Sequence, residues 1–145
     1  MNKIDEYFKS SSSVIGELGA HKKKIELICE KIISNKKNNK KILVAGNGGS
    51  CADAEHFVGE LQCTFKDKSR DPISAFALGN LAPAITAWSN DFEFLTFFKR
   101  QVQAHGLKDD ILFLITTGGG EEKSGASMSL VEAAKEAKKK DMLVI

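Results

Sequence analysis

Cysteine, proline, tryptophan and tyrosine are scarce in this chain of 145 residues, which contains three, two, one and one of them. The cysteines Cys29, Cys51 and Cys63 show no CxxC spacing, and no signal-peptide pattern precedes them. An odd number of thiols argues against a disulfide framework and predicts a reducing, cytoplasmic setting. Cys51 stands at a predicted helix start, where a thiol pKa can fall, but we interpret it as a small buried residue.

Long apolar runs and a strong charge of either sign are absent as well. No segment approaches the roughly 18–20 apolar residues that span a bilayer. The net charge is only +2. The lysine clusters lack interleaved aromatic residues, so we interpret them as solvated helix faces and ends rather than a nucleic-acid patch. The sequence therefore predicts no membrane and no nucleic-acid partner.

Apolar strands alternate with amphipathic helices along most of the chain. This alternation predicts an α/β fold in which helices cover both faces of a parallel sheet, as a three-layer αβα sandwich. The strands are predicted at 41–45, 73–78, 110–117 and 142–145. The helices between and after them are predicted at about 50–63, at a short segment that ends at about 88, at 92–105 with Gly106 as the C′ residue, and at 127–140.

Two further helices are predicted before the first strand, at 2–18 and 21–36, and the serines at 10–13 could interrupt the first of them. We interpret residues 1–145 as a single domain, with N-terminal helices over 1–38 and an α/β core over 39–145. The chain stops inside an apolar strand that no later helix covers. We therefore expect a fragment that lacks its C-terminal part, or else another chain that covers this strand.

The most informative segment is Val44–Ser50, where an apolar strand gives way to glycine and then to a helix. Free backbone N–H groups and the positive end of the helix dipole meet at such a junction, and an anion such as phosphate is the natural guest. A second glycine turn, Thr116–Gly120, also follows a strand and is rich in hydroxyl groups. The carboxyl ends of parallel strands lie on one edge of the sheet, so both turns should share that edge.

These turns match neither common nucleotide motif. Gly46, Gly48 and Gly49 lack the third glycine of a dinucleotide fingerprint, and no Gly-Lys-Ser/Thr follows as in a Walker loop. A small-phosphate site is the interpretation we prefer. Two alternatives stay open: the glycines serve only tight turns, or the chain is another kind of nucleotide-binding α/β domain.

His56 and Glu60 follow the first glycine turn and lie four residues apart, so they project from one helix face. A phosphate site together with a His/Glu pair is the outline of an active site for a phosphorylated metabolite. The alternative is a surface i,i+4 pair worth a few tenths of a kcal/mol.

The segment Gly46–Ser50, followed by Asp53–Leu61, resembles the sugar isomerase (SIS) domain, and within it the phosphoheptose isomerases. Asn90-Asp91-Phe92 resembles a further stretch of that family, and Arg70 stands where the family often carries arginine. The similarity covers the chain from about Lys22 onward. It implies a flavodoxin-like αβα fold and a homotetramer whose subunits share active sites, with the N-terminal helices at interfaces.

The resemblance also implies roles for individual residues. Glu60 would be the catalytic base, and His56 and Glu60 would be two ligands of a zinc ion. The substrate-binding residues would be Asn47, Gly48, Gly49, Ser50, Glu60, Asn90, Asp91, Thr116, Thr117 and Ser127, with Ser124 as the alternative to Ser127 for the last phosphate serine.

The chain departs from the family in two places. The family's Ser-Thr-Ser-Gly-Asn-Ser is replaced by Thr116-Thr117-Gly118-Gly119-Gly120, with about six extra residues before the next helix. The family also carries a Gln and a His beyond the last strand seen here, which complete its metal and acid/base groups. Two ligands do not hold zinc alone, so a missing segment or a neighbouring subunit would have to supply the others.

The resemblance implies an aldose–ketose isomerase that converts sedoheptulose 7-phosphate to D-glycero-D-manno-heptose 7-phosphate, in heptose biosynthesis for lipopolysaccharide, capsule or another pathway. The alternative is a non-catalytic SIS regulator that binds a phosphosugar, such as a replication-initiator-binding protein. Such regulators tend to lack the acidic residue four positions after the histidine. Glu60 therefore favours the enzyme.

Overall fold

The structure is a computed structural model, and it describes residues 2–121 and 125–145. The chain divides into two compact units, Met1–Ile33 and Ser34–Ile145. Ser124, the alternative phosphate serine, lies outside the described residues.

Two helices and a short 3₁₀ turn form the start of the chain, with α1 at Lys3–Glu17, the turn at Leu18–His21 and α2 at Lys22–Lys37. The serines at 10–13 do not interrupt α1, and the Ser13 hydroxyl donates to the Glu17 carboxylate at 3.1 Å instead of competing for the backbone. No residue of α1 is buried.

The second unit is built on a four-stranded parallel sheet in the order β2-β1-β3-β4. This order and the covering helices confirm the predicted α/β sandwich. The strands are β1 (Ile42–Gly46), β2 (Ala75–Ala77), β3 (Ile111–Ile115) and β4 (Leu143–Val144), and the helices are α3 (Gly49–Gln62), α4 (Ala82–Asp91), α5 (Phe97–His105) and α6 (Met128–Lys139). None of the helices in the described part of the chain is long and apolar enough to cross a membrane.

The central strand β1 is buried along its whole length and β3 at Ile111 and Leu112, as their continuous apolar sequences predict. One face packs against α5 and α6 in a core of Leu43, Ala45, Leu78, Phe97, Phe98, Val102, Leu112, Leu130, Ala133, Ala137 and Met142. Alternation along the strands places Ile42 and Val44 on the other face, which α3 covers. There Phe57 of α3 packs on Phe113 with ring centroids 5.1 Å apart.

The order of the strands creates a switch point between β1 and β3. The chain leaves β1 toward β2 on one side and returns to β3 on the other. Gly46 and Ile115, the last residues of β1 and β3, are register partners. Both predicted glycine turns therefore leave the sheet side by side, at the position where ligands bind in such folds.

Three local details differ from the sequence prediction. β2 is shorter than 73–78, because this edge strand pairs only with β1. α4 continues to Asp91, and a 3₁₀ turn precedes α5, so no single helix covers 92–105. Gly106 has φ −75° rather than the left-handed conformation of a C′ glycine. A Cβ there would lie 2.5 Å from the Met142 sulfur, so close packing accounts for this glycine.

A buried carboxylate joins the beginnings of β1 and β3. Asp110 is 1% exposed and accepts hydrogen bonds from the Lys41 N–H at 3.1 Å, the Lys41 Nζ at 2.5 Å and the Leu107 N–H at 2.8 Å. All three contacts are charge-assisted, which makes them stronger than neutral hydrogen bonds. The contacts hold the two central strands in register at the end opposite the glycine turns.

Candidate active site

The first glycine turn is tight enough to require glycine at the end of β1. A Cβ on Gly46 would lie 2.3 Å from the Ser50 carbonyl oxygen, closer than real Cβ atoms approach any atom. Gly48 has φ +56°, a conformation that side chains rarely adopt. This backbone lets α3 begin directly above the end of β1.

The N-terminus of α3 is free of side-chain capping. Gly48 occupies the N-cap position, where it offers no side chain and makes no side-chain cap. Gly48 and Gly49 are both exposed, and Ser50 is half-buried beside them. The Ser50 and Cys51 amides donate to the carbonyls of Asn47 and Gly48, so the Gly48 and Gly49 amides and the positive end of the helix dipole remain for an anion.

The second glycine turn is held by its hydroxyl groups. The Thr116 Oγ1 lies 2.9 Å from the Ser127 Oγ, and it accepts a hydrogen bond from the Gly118 N–H at 3.2 Å. Ser127 occupies the N-cap position of α6 with φ +57°, and its side chain does not cap that helix. Thr117 is exposed beside this pair.

A hydrogen bond joins the first turn to the beginning of α6. The Asn47 side chain donates its Nδ2 hydrogen to the Ser129 Oγ at 3.1 Å, and Ser129 is only 5% exposed. We call the group formed by Asn47, Gly48, Gly49, Ser50, Thr116 and Ser127 the cradle. It combines two uncapped helix N-termini with hydroxyl groups, which is the chemistry that holds a phosphoryl group.

His56 and Glu60 form the predicted pair on α3. The His56 Nε2 lies 3.3 Å from the Glu60 Oε1, with side chains that are 78% and 36% exposed. The other carboxylate oxygen, Glu60 Oε2, is buried and has no hydrogen-bond partner among the described residues. A buried carboxylate oxygen without a hydrogen-bond partner costs folding free energy. We therefore expect a further hydrogen-bond donor or a cation to contact it.

His56 and Glu60 lie further along α3 than Ser50, the last cradle residue of the first turn. Glu60 is ten residues beyond Ser50, which corresponds to about 15 Å along the helix axis. Ala54 and Val58 face the sheet, and positions two residues further on point about 200° away. His56 is accordingly exposed, whereas Glu60 is half-buried and has one carboxylate oxygen shielded from solvent.

Asn90 and Asp91 end α4 and are exposed. The Asn90 Nδ2 donates to the Asp91 Oδ1 at 2.9 Å, so the two side chains orient each other. Among the residues that the structure describes, no hydrogen bond joins Asn90 or Asp91 to the cradle. Their role in binding substrate stays a prediction.

A complete metal site is not present in the part of the chain that the structure describes. No group of three or more His, Cys, Asp or Glu residues there could hold an ion. His56 and Glu60 supply one nitrogen and one oxygen donor, whereas zinc sites use three or four protein ligands. These two residues fit half of a zinc site and do not form one by themselves.

Cys51 differs from a reactive thiol at a helix start. Burial raises the pKa of the Cys51 thiol, and the negative charge of Glu55 raises it further. The thiolate that would act as nucleophile is therefore disfavoured. Cys51 is half-buried, and its role as a small packing residue stays a prediction.

Ser129 belongs to this region and was not predicted from the sequence. It follows Ser127 by two residues on α6, and a serine at this position carries no signal of its own. Its contact with Asn47, 82 residues away, arises only when β1 and β3 pair.

Comparisons with known proteins agree with this geometry. The SIS domain family matches residues 6–145. Phosphoheptose isomerase of Campylobacter concisus is 38% identical over 144 residues, which are 99% of this chain and 70% of that protein. That of Neisseria meningitidis serogroup C is 44% identical over 108 residues, 74% of this chain and 51% of that protein.

Solved structures give the same result. The structure of a phosphoheptose isomerase from Francisella tularensis has a TM-score of 0.87 and 36% identity, and the match covers 98% of this chain and 71% of that one. The enzyme from Neisseria gonorrhoeae has a TM-score of 0.65 and 31% identity over 95% and 72% of the two chains. The chain therefore belongs to the phosphoheptose isomerase family of SIS domains.

Proposed function

We propose that this protein is an aldose–ketose isomerase that converts sedoheptulose 7-phosphate to D-glycero-D-manno-heptose 7-phosphate. The observation that carries the proposal is the cradle, in which two uncapped helix N-termini and three hydroxyl-bearing side chains meet at the paired ends of β1 and β3. Relatives that bear the name phosphoheptose isomerase support the choice of substrate.

The cradle binds the phosphoryl group through backbone amides and hydroxyls. The N–H groups of Gly48 and Gly49 and the hydroxyls of Ser50, Thr116 and Ser127 donate to its oxygens. Asn47 is held in place by Ser129, so its amide oxygen stays available for a sugar hydroxyl. These interactions persist through the reaction and hold the substrate in place.

The reaction moves a proton between adjacent carbons of the sugar. A base removes the C1 proton of the ketose, an enediolate forms, and a proton returns to C2 to give the aldose. Glu60 is the proposed base, since its carboxylate has one partly exposed oxygen beside His56 and one buried oxygen without a partner among the described residues.

The length of a heptose phosphate suits the distance between the cradle and Glu60. Helical side chains lean toward the N-terminus, so the Glu60 carboxylate lies roughly 10 Å from the start of α3 along the axis. Eight extended bonds from C1 to phosphorus span about 10 Å, at the roughly 3.5 Å that three extended bonds cover. A seven-carbon substrate can therefore reach both groups, and a three-carbon substrate cannot.

The site also requires a cover, because the His56 side chain is 78% exposed. We propose that a second copy of the chain provides it, in the homotetramer that the family resemblance implies. The exposed apolar side chains of α1, among them Tyr7 and Phe8, suit such interfaces.

Zinc stays a prediction for this protein. His56 and Glu60 would hold it, together with ligands that lie outside the described residues or in another chain. When bound, a zinc ion would act as a Lewis acid on the substrate oxygens.

An activity assay separates this proposal from a phosphosugar-binding regulator and from a nucleotide-binding domain. The full-length gene product is assayed for conversion of sedoheptulose 7-phosphate, beside Glu60→Gln and the control Glu55→Gln on the same helix. We expect Glu60→Gln to lower kcat by about 10²–10⁴-fold, the usual contribution of a positioned base, and Glu55→Gln to leave it unchanged.

Two outcomes would contradict the proposal. Full activity of Glu60→Gln would remove this residue from the role of base. Thermal stabilisation of the wild-type protein by NAD or ATP, with no response to sugar phosphates, would identify a nucleotide-binding domain instead.

A further inference from the structure

The guanidinium group of Arg70 is bound to the backbone at the end of α3. Its Nη2 donates to the Glu60 carbonyl at 2.6 Å and to the Cys63 carbonyl at 3.3 Å. Its Nη1 donates to the carbonyls of Leu61 at 3.1 Å and Asp71 at 2.9 Å. Both terminal nitrogens are therefore occupied by main-chain oxygens.

The end of α3 needs such a partner. The last carbonyls of a helix have no N–H partner inside the helix, and they carry the negative end of its dipole. The last turn of α3 has no basic residue, and Cys63 at the C-cap is not a glycine in the left-handed conformation. Arg70, from the following loop, supplies both the missing donors and the positive charge.

The loop that carries Arg70 is itself ordered by short contacts. The Asp67 carboxylate accepts hydrogen bonds from the Ser69 hydroxyl at 2.6 Å and from the Ser69 N–H at 2.9 Å. The Ile73 N–H then donates to the Leu61 carbonyl at 3.0 Å, which ties the far end of the loop to α3. Arg70 is thus presented to the helix from a fixed turn.

We propose that Arg70 is a positioning residue for Glu60, and that it does not bind the substrate phosphate. This inference rests on the proposed function. The contact at 2.6 Å is made to the carbonyl of Glu60 itself, so Arg70 fixes the backbone from which the catalytic carboxylate projects. Without it, the last turn of α3 frays and the carboxylate loses its position relative to the sugar.

Steady-state kinetics of the full-length protein test this role, with Arg70→Met, Arg70→Lys and the control Lys68→Met, which removes an exposed charge from the same loop. Because a misplacement of about 1 Å can cost 10²-fold, we expect Arg70→Met to lower kcat by about 10- to 100-fold. KM should stay within about threefold of wild type, since the cradle is intact. The kcat of Arg70→Lys should lie between those of wild type and Arg70→Met, because an ammonium keeps the charge without the planar fork.

Chemical rescue distinguishes positioning from a general loss of structure. Guanidinium chloride at low, non-denaturing concentration should restore part of kcat in Arg70→Met and none in Arg70→Lys, whose ammonium still occupies the site. Lys68→Met should match wild type throughout. A rise in KM with unchanged kcat in Arg70→Met would mean that Arg70 binds substrate and would overturn the proposal, as would equal kcat values in Arg70→Met and Lys68→Met.

We call the hydrogen bonds of Arg70 to the carbonyls at the end of α3 the clamp, and hydrogen exchange tests it without reference to activity. The amides of the last turn of α3, from Glu60 to Cys63, should exchange at least about tenfold faster in Arg70→Met than in wild type, while those of α6 stay unchanged. Unaltered exchange of these amides in Arg70→Met would contradict a stabilising role of Arg70 at the end of α3. A wild-type protein without isomerase activity would refute the proposed function alone, because the exchange result would still stand.

Discussion

Replacing Gly46 with alanine tests whether the first glycine turn is as tight as the structure shows. The new Cβ would lie 2.3 Å from the Ser50 carbonyl oxygen and 2.5 Å from its carbon. Real Cβ atoms stay beyond 3.0 Å, so the first turn of α3 must move by at least the difference, 0.7 Å. Both contacts are backbone atoms, so no change of rotamer can relieve them.

The cost follows from this displacement. Overpacking a close-packed site costs about 1–3 kcal/mol, and we expect the free energy of unfolding of Gly46→Ala to fall by about 2 kcal/mol. With a typical urea m-value of about 1–3 kcal/mol/M, the unfolding midpoint should fall by roughly 1 M. The cradle amides move with the helix, so affinity for inorganic phosphate should fall as well.

Gly49→Ala is the matched control for stability. A Cβ at this position meets nothing within 4 Å, and Gly49 begins α3. Because alanine favours helix by up to about 1 kcal/mol over glycine, this variant should unfold at the same urea concentration as wild type or a higher one. Equal midpoints for Gly46→Ala and Gly49→Ala would refute the close contact on which the description of the turn depends.

Three further predictions concern the core and one thiol. Asp110→Ala removes a buried carboxylate and leaves the facing ammonium unpaired, so it should lower the free energy of unfolding by about 3 kcal/mol in urea titrations. Leu112→Ala should cost about 2–5 kcal/mol because this side chain is fully buried, whereas Leu107→Ala, 62% exposed, should stay within about 0.5 kcal/mol of wild type. Glu55→Gln should lower the raised pKa of the Cys51 thiol, so alkylation of Cys51 by iodoacetamide at neutral pH should become faster.

Each of these predictions has an outcome that would contradict it. A stable Asp110→Ala protein would show that the two strand beginnings do not depend on the carboxylate. Equal losses in the two leucine variants would mean that the burial pattern of β3 is wrong. Slower alkylation of Cys51 in Glu55→Gln would reverse the sign assigned to the charge of Glu55.

Much of the fold follows from local pattern. Continuous apolar runs at β1 and β3, each followed by glycine and then by an amphipathic helix, are sufficient to predict a parallel sheet with both turns on one edge. Pairing of Gly46 with Ile115 then brings the turns together, as expected for a switch point. The position of the cradle could therefore be predicted, although the hydrogen bonds inside it could not.

Other features depend on contacts between distant parts of the chain. The bond from Asn47 to Ser129 spans 82 residues, and the clamp of Arg70 depends on how one loop folds back on α3. Neither has a periodic signal in the sequence. The distance from the cradle to Glu60 is different, because the rise of an α-helix alone sets ten residues at about 15 Å.

Deuterium incorporation during turnover tests the central claim most directly. The full-length protein converts sedoheptulose 7-phosphate in D₂O, and NMR reports the isotope at C2 of the aldose product. We expect deuterium at C2 with the wild-type protein and a loss of turnover in Glu60→Gln, which still binds the sugar phosphate. Wild-type turnover by Glu60→Gln would contradict proton transfer by this carboxylate.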